Sequence, residues 1–163
     1  MAIIHCRIDY RLIHGQVATL WTNHLNSTRI MVIDDATSTN DIRKSALKLA
    51  CPPGVSLSVL SVEKAAENIK SGKYDSQRVM IILGSIESLN DLFEHGVEIK
   101  EVNLGNLQKN EETKFIKPTV PITLKEAEII MHLYNKGVGF TYQLIPGRVP
   151  EEVIPSVKKE FGL

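Results

Sequence analysis

The chain has 163 residues and a mass of 18.2 kDa, which favours one domain over residues 1–163 whose core needs neither disulfides nor a metal. Its 19 basic and 19 acidic residues cancel, so the excess of Lys and Arg that marks nucleic-acid-binding proteins and polybasic membrane proteins is absent. The longest apolar run, 79–83, is far shorter than the roughly 20 residues of a membrane-spanning helix, and no secretory leader opens the sequence, so we expect a cytoplasmic protein.

Short apolar runs alternate with amphipathic stretches along the first two thirds of the chain. The runs are rich in Val and Ile and predict strands, whereas apolar residues at helical spacing predict helices between them. In the helix predicted at 41–50, the stripe of Ile42, Ala46 and Leu49 is expected to face the core. In chain order the pattern predicts strand 2–8, helix 15–26, strand 30–33, helix 41–50, strand 55–60, helix 62–71, strand 79–83, helix 86–95 and strand 102–104.

The last third of the chain has a different character. Residues 108–121 are polar and contain proline, which indicates a loop that leads into a short strand near 119–122. A capping-box sequence predicts a helix over 123–136. Alternation at 140–144 predicts a half-buried strand, and the apolar residues of 153–157 indicate a closing helix.

This order of elements predicts a single α/β domain with a mostly parallel, open sheet and helices on both of its faces. In such sheets the ligand binds beyond the carboxyl ends of the strands, where the strand order reverses. The loops at that edge are 9–15, 34–40, 84–88 and 105–110. With a strand order 3-2-1-4, the reversal falls between strands one and four, and the first and fourth of these loops flank the site.

The loop after the first strand carries the most reactive set of side chains. Asp9, Arg11 and His14 lie between the end of the strand and the start of the next helix. His14 is expected at or just before the amino terminus of that helix, where free backbone N–H groups form an anion site. The donors of this phosphate-binding site are expected from Gly15, Gln16 and Val17.

These parts suit a phosphohistidine. A neutral imidazole is a competent nucleophile towards a phosphoryl group, and the product carries nearly two negative charges. The helix end contributes ~0.3–1 kcal/mol, whereas a guanidinium about 4 Å away contributes roughly 4 kcal/mol near a protein surface, so Arg11 is expected to stabilise the product more than the helix end does. Asp9 either holds that guanidinium or accepts a bond from the second ring nitrogen of His14.

Three further residues lie in the other loops at the same edge. Ser85 either bonds a phosphoryl oxygen or caps the following helix, and Asp34 and Asp35 either face the site or form a turn or cap. We predict no metal site, because Cys6 and Cys51 form no ligand pattern and the other histidines lack partners at helical spacing. No organic cofactor is expected.

Residues 7–17, together with Ala18, Thr19 and Trp21, resemble the active-site loop of the mannose/fructose/sorbose-type enzyme IIB components of the bacterial sugar phosphotransferase system. Further segments at 52–55, 78–80, 96–97 and 102–106 are similar to that family in the same order. The resemblance covers residues 1–160. Tyr10, where many members carry a second aspartate, and the turn Gly84-Ser85-Ile86 depart from the family pattern.

The resemblance implies a phosphohistidine–sugar phosphotransferase. His14 would accept a phosphoryl group on Nδ1 from a phosphorylated IIA protein or domain. It would pass the group to a hexose or amino sugar imported through membrane IIC and IID components, so the protein would associate peripherally with the transporter. Arg11 corresponds to the family's phosphate-binding arginine and Asp9 to its loop carboxylate. Self-association is left open.

Two alternatives belong to other functional classes. The sequence Ile13-His14-Gly15 is similar to the Arg-His-Gly start of histidine phosphatases, but Ile13 replaces the arginine and no second histidine lies in a strand-end loop. A non-catalytic anion-binding subunit would keep the loop without turnover. A phosphocarrier must also dock on partners, and the apolar residues expected to form that contact are Tyr10, Leu12 and Ile13.

Overall fold

The computed structural model describes residues 2–163. Strands and helices alternate as the sequence predicts, and helix ends fall at the expected stop signals to within one residue. The elements are β1 Ile3–Asp9, α1 Gly15–Leu25, β2 Arg29–Ile33, α2 Asp35–Ser38, α3 Asp41–Ala50, β3 Ser56–Leu60, α4 Val62–Lys70, β4 Val79–Leu83, α5 Ile86–Glu94, β5 Glu101–Asn106, β6 Lys114–Lys117, β7 Val120–Ile122, α6 Leu124–Asn135, β8 Gly139–Tyr142, β9 Glu151–Glu152 and α7 Ile154–Phe161.

Seven strands form one sheet in the order β3-β2-β4-β1-β5-β8-β9. All neighbours are parallel except β8 and β9, so the predicted α/β class with a mostly parallel sheet is confirmed. The order 3-2-1-4 is wrong, because β4 lies between β2 and β1. Every residue of β4 is buried, which suits a strand with neighbours on both edges. β1 lies between β4 and β5, so the loop after β1 meets the loop after β5.

Two apolar cores cover the two faces of the sheet, as the predicted architecture requires. The first, here the α1-side core, lies under α1 and α3 and contains Leu12, Ile13, Ala18, Trp21, Ile30, Val32, Leu47, Met80 and Ile82. The second lies under α4, α5, α6 and α7 and contains the larger share of the buried residues. The carboxyl ends of β1 and β5 pack into the second core through Ile8 and Leu104.

The helix α3 is rotated about its axis relative to our prediction. Leu47 is its buried residue, whereas Ile42 and Leu49 are 84% and 90% exposed and Ala46 is also exposed. Apolar residues occur on more than one face of this helix, so periodicity alone does not select the inward one. The Asn40 side chain caps α3 by accepting from the Arg43 N–H, and Leu47 is the residue of this helix that packs into the α1-side core. An apolar stripe therefore faces outward.

Three short elements were not expected from the sequence. Helix α2 occupies part of the predicted loop 34–40, and β6 lies within the stretch 108–121, where it pairs with β7 in a separate two-stranded sheet. The two-residue strand β9 closes the edge of the main sheet beside β8. Elements this short carry too few residues to show a periodic pattern. No helix within residues 2–163 has the length and apolar character that a bilayer crossing requires.

Candidate active site

The loop between β1 and α1 is held in one shape by backbone bonds and apolar anchors. The Tyr10 N–H donates to the Asn106 carbonyl at 2.9 Å, and the Leu12 N–H donates to the Asp9 carbonyl at 3.0 Å. Leu12 adopts a left-handed φ of 61°, and both Leu12 and Ile13 are buried in the α1-side core. The expectation that Leu12 and Ile13 contact partners is therefore wrong, whereas Tyr10 is exposed. The loop is anchored rather than free to move.

His14 lies at the amino terminus of α1. It is the N-cap residue, with extended backbone (φ −132°, ψ 114°), and its side chain is 21% exposed. The imidazole does not cap the helix, so the N–H groups of the first turn receive no side-chain acceptor from it. Gly15 begins the turn at φ +37°, a conformation that favours glycine. Gly15 and Gln16 are exposed and Val17 is half-buried. The imidazole and the open end of the helix thus share one surface.

Asp9 orients the ring of His14. Its Oδ2 atom lies 3.3 Å from His14 Nε2 and also accepts from Asn106 Nδ2 at 3.1 Å. Its Oδ1 atom accepts from the Arg11 backbone N–H at 3.0 Å. Because a carboxylate accepts, the neutral form of His14 that makes this contact carries its proton on Nε2 and has a free electron pair on Nδ1. Of the two predicted roles for Asp9, the bond to the second ring nitrogen is the one that the structure forms.

The guanidinium that Asp9 holds is that of Arg7, not that of Arg11. Arg7 is 2% exposed, and its Nη2 atom lies 3.5 Å from Asp9 Oδ2. Its Nη1 atom donates to Asn103 Oδ1 and to the Gln143 carbonyl. Burial lowers the pKa of Arg7, and the carboxylate of Asp9 opposes that shift. Sequence reasoning assigned Arg7 no role, although its position two residues before Asp9 places both side chains on one face of β1.

The buried Trp21 and the half-buried His5 complete the cluster on this face of β1. The Trp21 ring stacks on His5 with centroids 4.5 Å apart, and the Arg7 guanidinium lies 5.6 Å from its centroid. Trp21 is buried, as predicted, and its indole N–H donates to the Leu144 carbonyl at 3.1 Å. Burial, followed by the charges of Arg7 and His24, lowers the pKa of His5 to about 4. Arg7 is therefore the positive charge of this cluster at neutral pH.

Arg11, unlike Arg7, is exposed. Its side chain is exposed beside Thr37, Arg43 and Ala46, and it forms no ion pair or side-chain hydrogen bond with any residue in the range 2–163. The structure does not bring its guanidinium to His14. An exposed, unpaired arginine two positions from a buried carboxylate keeps the rotational freedom to turn towards an incoming anion.

The remaining predicted residues serve as helix caps. Ser85 Oγ accepts from the Ser88 N–H at 3.1 Å and caps α5, while its own proton is directed at Ser88 Oγ. Asp34 caps α2 through the Thr37 N–H at 3.0 Å. Asp35 Oδ1 accepts from the Val62 N–H at 2.8 Å, at the start of α4. The cap alternative is thus the one observed for these side chains, and a phosphate contact by Ser85 stays a prediction.

Metal-ligating groups do not converge at this site. Within residues 2–163, no three His, Cys, Asp or Glu side chains are arranged to hold a metal ion. Both cysteines are free thiols. Cys6 is fully buried, which raises its pKa to about 12, and Cys51 is half-buried. The site brings together an imidazole, a carboxylate paired with the buried Arg7, and backbone N–H donors, while Arg11 lies exposed on the same loop.

Comparison with known proteins points to the same chemistry. The family model described as "PTS system sorbose subfamily IIB component" matches residues 3–162. The sorbose-specific EIIB component of Lacticaseibacillus casei is 28% identical over 99% of each chain, and the fructose-specific EIIB component of Bacillus subtilis is 30% identical over 94% of each. The crystal structure of the IIBSor domain of the Klebsiella pneumoniae sorbose permease superposes with a TM-score of 0.92, at 26% identity and 98% coverage of both chains.

The family model spans nearly the whole chain, and the fold match spans the same length. These findings select phosphotransfer over the histidine-phosphatase alternative. IIB components of this family take a phosphoryl group from IIA and pass it to a sugar through IIC and IID. The chain belongs to the sorbose subfamily of IIB components of the bacterial sugar phosphotransferase system.

Proposed function

We propose that His14 is the residue that carries the phosphoryl group, on its Nδ1 atom. The observation that supports this most is the contact between His14 Nε2 and Asp9 Oδ2 at the uncapped amino terminus of α1. In a neutral ring this contact places the proton on Nε2 and leaves Nδ1 unprotonated, and the adjacent N–H groups supply donors for phosphoryl oxygens. The donor is a phosphorylated IIA protein or domain. The acceptor is a hexose or amino sugar held by membrane IIC and IID components, so the exchange takes place at the cytoplasmic face of the membrane.

Acceptance of the group needs no net proton transfer. The Nδ1 electron pair of His14 bonds to phosphorus while the bond from phosphorus to the donor's imidazole breaks. The ring of His14 then bears a positive charge, which lies next to the carboxylate of Asp9. The donor's ring, which keeps its own N–H, becomes neutral as its phosphoryl group leaves. The two rings therefore exchange charge as well as phosphate.

Delivery to the sugar reverses these changes. A sugar hydroxyl oxygen bonds to phosphorus, the bond between phosphorus and Nδ1 breaks, and the hydroxyl proton is released to solvent or to the partner. The ring becomes neutral again and keeps its Nε2 proton beside Asp9. Arg11 turns from its exposed position to the equatorial oxygens, where charge is spread in the transition state. Positioning and charge stabilisation then carry the reaction.

The test is phosphorylation by a phosphorylated IIA protein, followed by intact-mass measurement. We expect one phosphoryl group that is labile in acid and stable in base. His14→Ala is expected to abolish it, whereas His24→Ala, a change at another histidine of the same helix, is expected to leave it intact. Equal labelling of His14→Ala and the unmodified protein would refute the assignment.

Turnover separates a phosphocarrier from the non-catalytic anion-binding alternative. Reconstitution with cognate IIA, IIC and IID is expected to phosphorylate a sugar only when His14 is present. Phosphate uptake without any sugar phosphorylation, over a panel of hexoses and amino sugars, would favour the non-catalytic alternative.

A further inference from the structure

The buried guanidinium of Arg7 is held on every side by fixed partners. It contacts the carboxylate of Asp9, the side-chain oxygen of Asn103 and the carbonyl of Gln143, and it lies over the ring of Trp21. The fifth neighbour is the backbone of Gly105. A Cβ atom built on that glycine would overlap Arg7 Cζ, so the guanidinium occupies the space that any larger residue at that position would fill.

This charge is connected to the reacting ring through a single carboxylate oxygen. Asp9 Oδ2 contacts both Arg7 Nη2 and His14 Nε2. A buried carboxylate without a compensating charge draws a proton to any base beside it. Here that base is His14, and a protonated imidazole has no electron pair at Nδ1 with which to attack phosphorus.

We propose that Arg7 is a positioning residue of the phosphotransfer site, which balances the charge of Asp9 so that Asp9 holds the His14 ring by its Nε2 proton without converting it to an imidazolium. The proposal rests on the function proposed for His14. Arg7 makes no contact with the phosphoryl group in this role. Arg11 and the N–H groups at the start of α1 make that contact. Without Arg7, Asp9 would stabilise the cationic ring, and the free nucleophile would form only at higher pH.

Few other charges face Arg7. On β1 they are Asp9 and His5, and the lowered pKa of His5 keeps it uncharged at neutral pH. On β8 the titratable group is Tyr142, which interacts with Arg7 electrostatically. On β5 the facing residues, Asn103 and Gly105, are uncharged. His14 is the group facing it from the start of α1. Asp9 is therefore the only carboxylate that Arg7 contacts among residues 2–163. Removal of either side chain leaves the charge of the other without its partner.

The test measures the pH dependence of phosphoryl acceptance in Arg7→Gln, with the ring state of His14 followed by ¹⁵N NMR. We expect the acid limb of the rate profile to move upward by about one to three pH units. At pH 7 acceptance falls by up to about ten-fold for each pH unit of this shift and recovers at higher pH, while NMR shows an imidazolium in place of the Nε2–H tautomer. Arg7→Lys, which keeps the charge, is expected to restore most of the profile. Arg78→Gln, at the opposite end of α1, is the matched control for loss of a hydrogen-bonded arginine.

A folded Arg7→Gln protein with an unchanged rate profile and an unchanged His14 tautomer would overturn the inference and leave Arg7 with a packing role only. If Arg7→Gln does not fold, the same comparison is made between Asp9→Asn and the double variant Arg7→Gln/Asp9→Asn. The rate profile of Asp9→Asn is then expected to have its acid limb at a lower pH than that of the double variant, because the unpaired Arg7 guanidinium in Asp9→Asn repels a proton on the His14 ring. Acid limbs at the same pH in both variants would overturn the inference. Labelling of His14→Ala would refute the proposed function itself, whereas these outcomes leave that function intact.

Discussion

Replacement of Gly105 by alanine tests how tightly the buried arginine is confined. The added Cβ would overlap both Cζ and Nη2 of Arg7 and would lie 2.9 Å from its Nε, against ordinary contacts of 3.4–4 Å. The guanidinium would have to move by about 1 Å to restore ordinary contact distances. The Trp21 ring and the side chain of Asn103 limit that movement, because they contact the guanidinium on its other sides. Gly105 does not have a positive φ, so the cost is steric and electrostatic rather than a backbone cost.

We expect Gly105→Ala to lower the free energy of unfolding by about 2–4 kcal/mol, from overpacking together with a weakened buried ion pair. For a chain of this length the melting temperature should fall by roughly 5–15 °C. Thermal and urea unfolding followed by circular dichroism measure both quantities. Gly139→Ala on β8 is the matched control, because its Cβ would meet nothing closer than 3.6 Å. A Gly105→Ala protein that melts together with the control would refute the confinement of Arg7.

Four further substitutions test other parts of the structure. His5→Phe should remove about 3 kcal/mol of the free energy of unfolding that the protein loses in acid. The pKa of His5 is lowered to about 4 from an ordinary 6.5, so its contribution to stability is present above pH 6.5 and is lost as the pH falls towards 4. Urea unfolding between pH 7 and 4 measures this loss, and an equal loss in the variant would contradict the neutral state of the His5 ring. Arg11→Glu should slow both phosphoryl acceptance and phosphoryl delivery roughly ten-fold or more, whereas Tyr10→Ala should weaken mainly the affinity for partner proteins. Single-turnover kinetics with each partner separate the transfer rate from the binding affinity. Equal losses of binding in both variants would contradict these different roles. Leu49→Ser should change the free energy of unfolding by less than about 0.5 kcal/mol, because the Leu49 side chain is 90% exposed. Urea unfolding measures this change, and a loss of about 2 kcal/mol would show that the Leu49 side chain is buried.

The sequence predicts local features of this protein well. The boundaries of α3 and β4 match the predicted ranges, and the capping box at Thr123 is present with both of its bonds. Each of these features depends on residues close together in the chain, where propensity, capping and periodicity act directly. His14 at the start of α1 and its bond with Asp9 belong to the same class, since the two residues lie five positions apart.

What the sequence does not predict depends on contacts between distant segments. The position of β4 between β2 and β1, and the outward face of α3 that carries Ile42, follow from packing that no local pattern encodes. The role of Arg7 depends on Asn103, 96 positions away, and on Gln143, 136 positions away. An arginine between the apolar residues Cys6 and Ile8 of a predicted strand is nevertheless a usable signal, because burial of that charge requires a partner.

The phosphorylated ring nitrogen of His14 tests the central claim most directly. The protein would be labelled with ¹⁵N and phosphorylated by its donor, and the bonded nitrogen would be identified from ³¹P–¹⁵N coupling together with the histidine ring shifts. We predict one phosphoryl group, bonded to Nδ1 of His14, with the proton still on Nε2 beside Asp9. A phosphoryl group on Nε2, or on any other residue, would contradict the account.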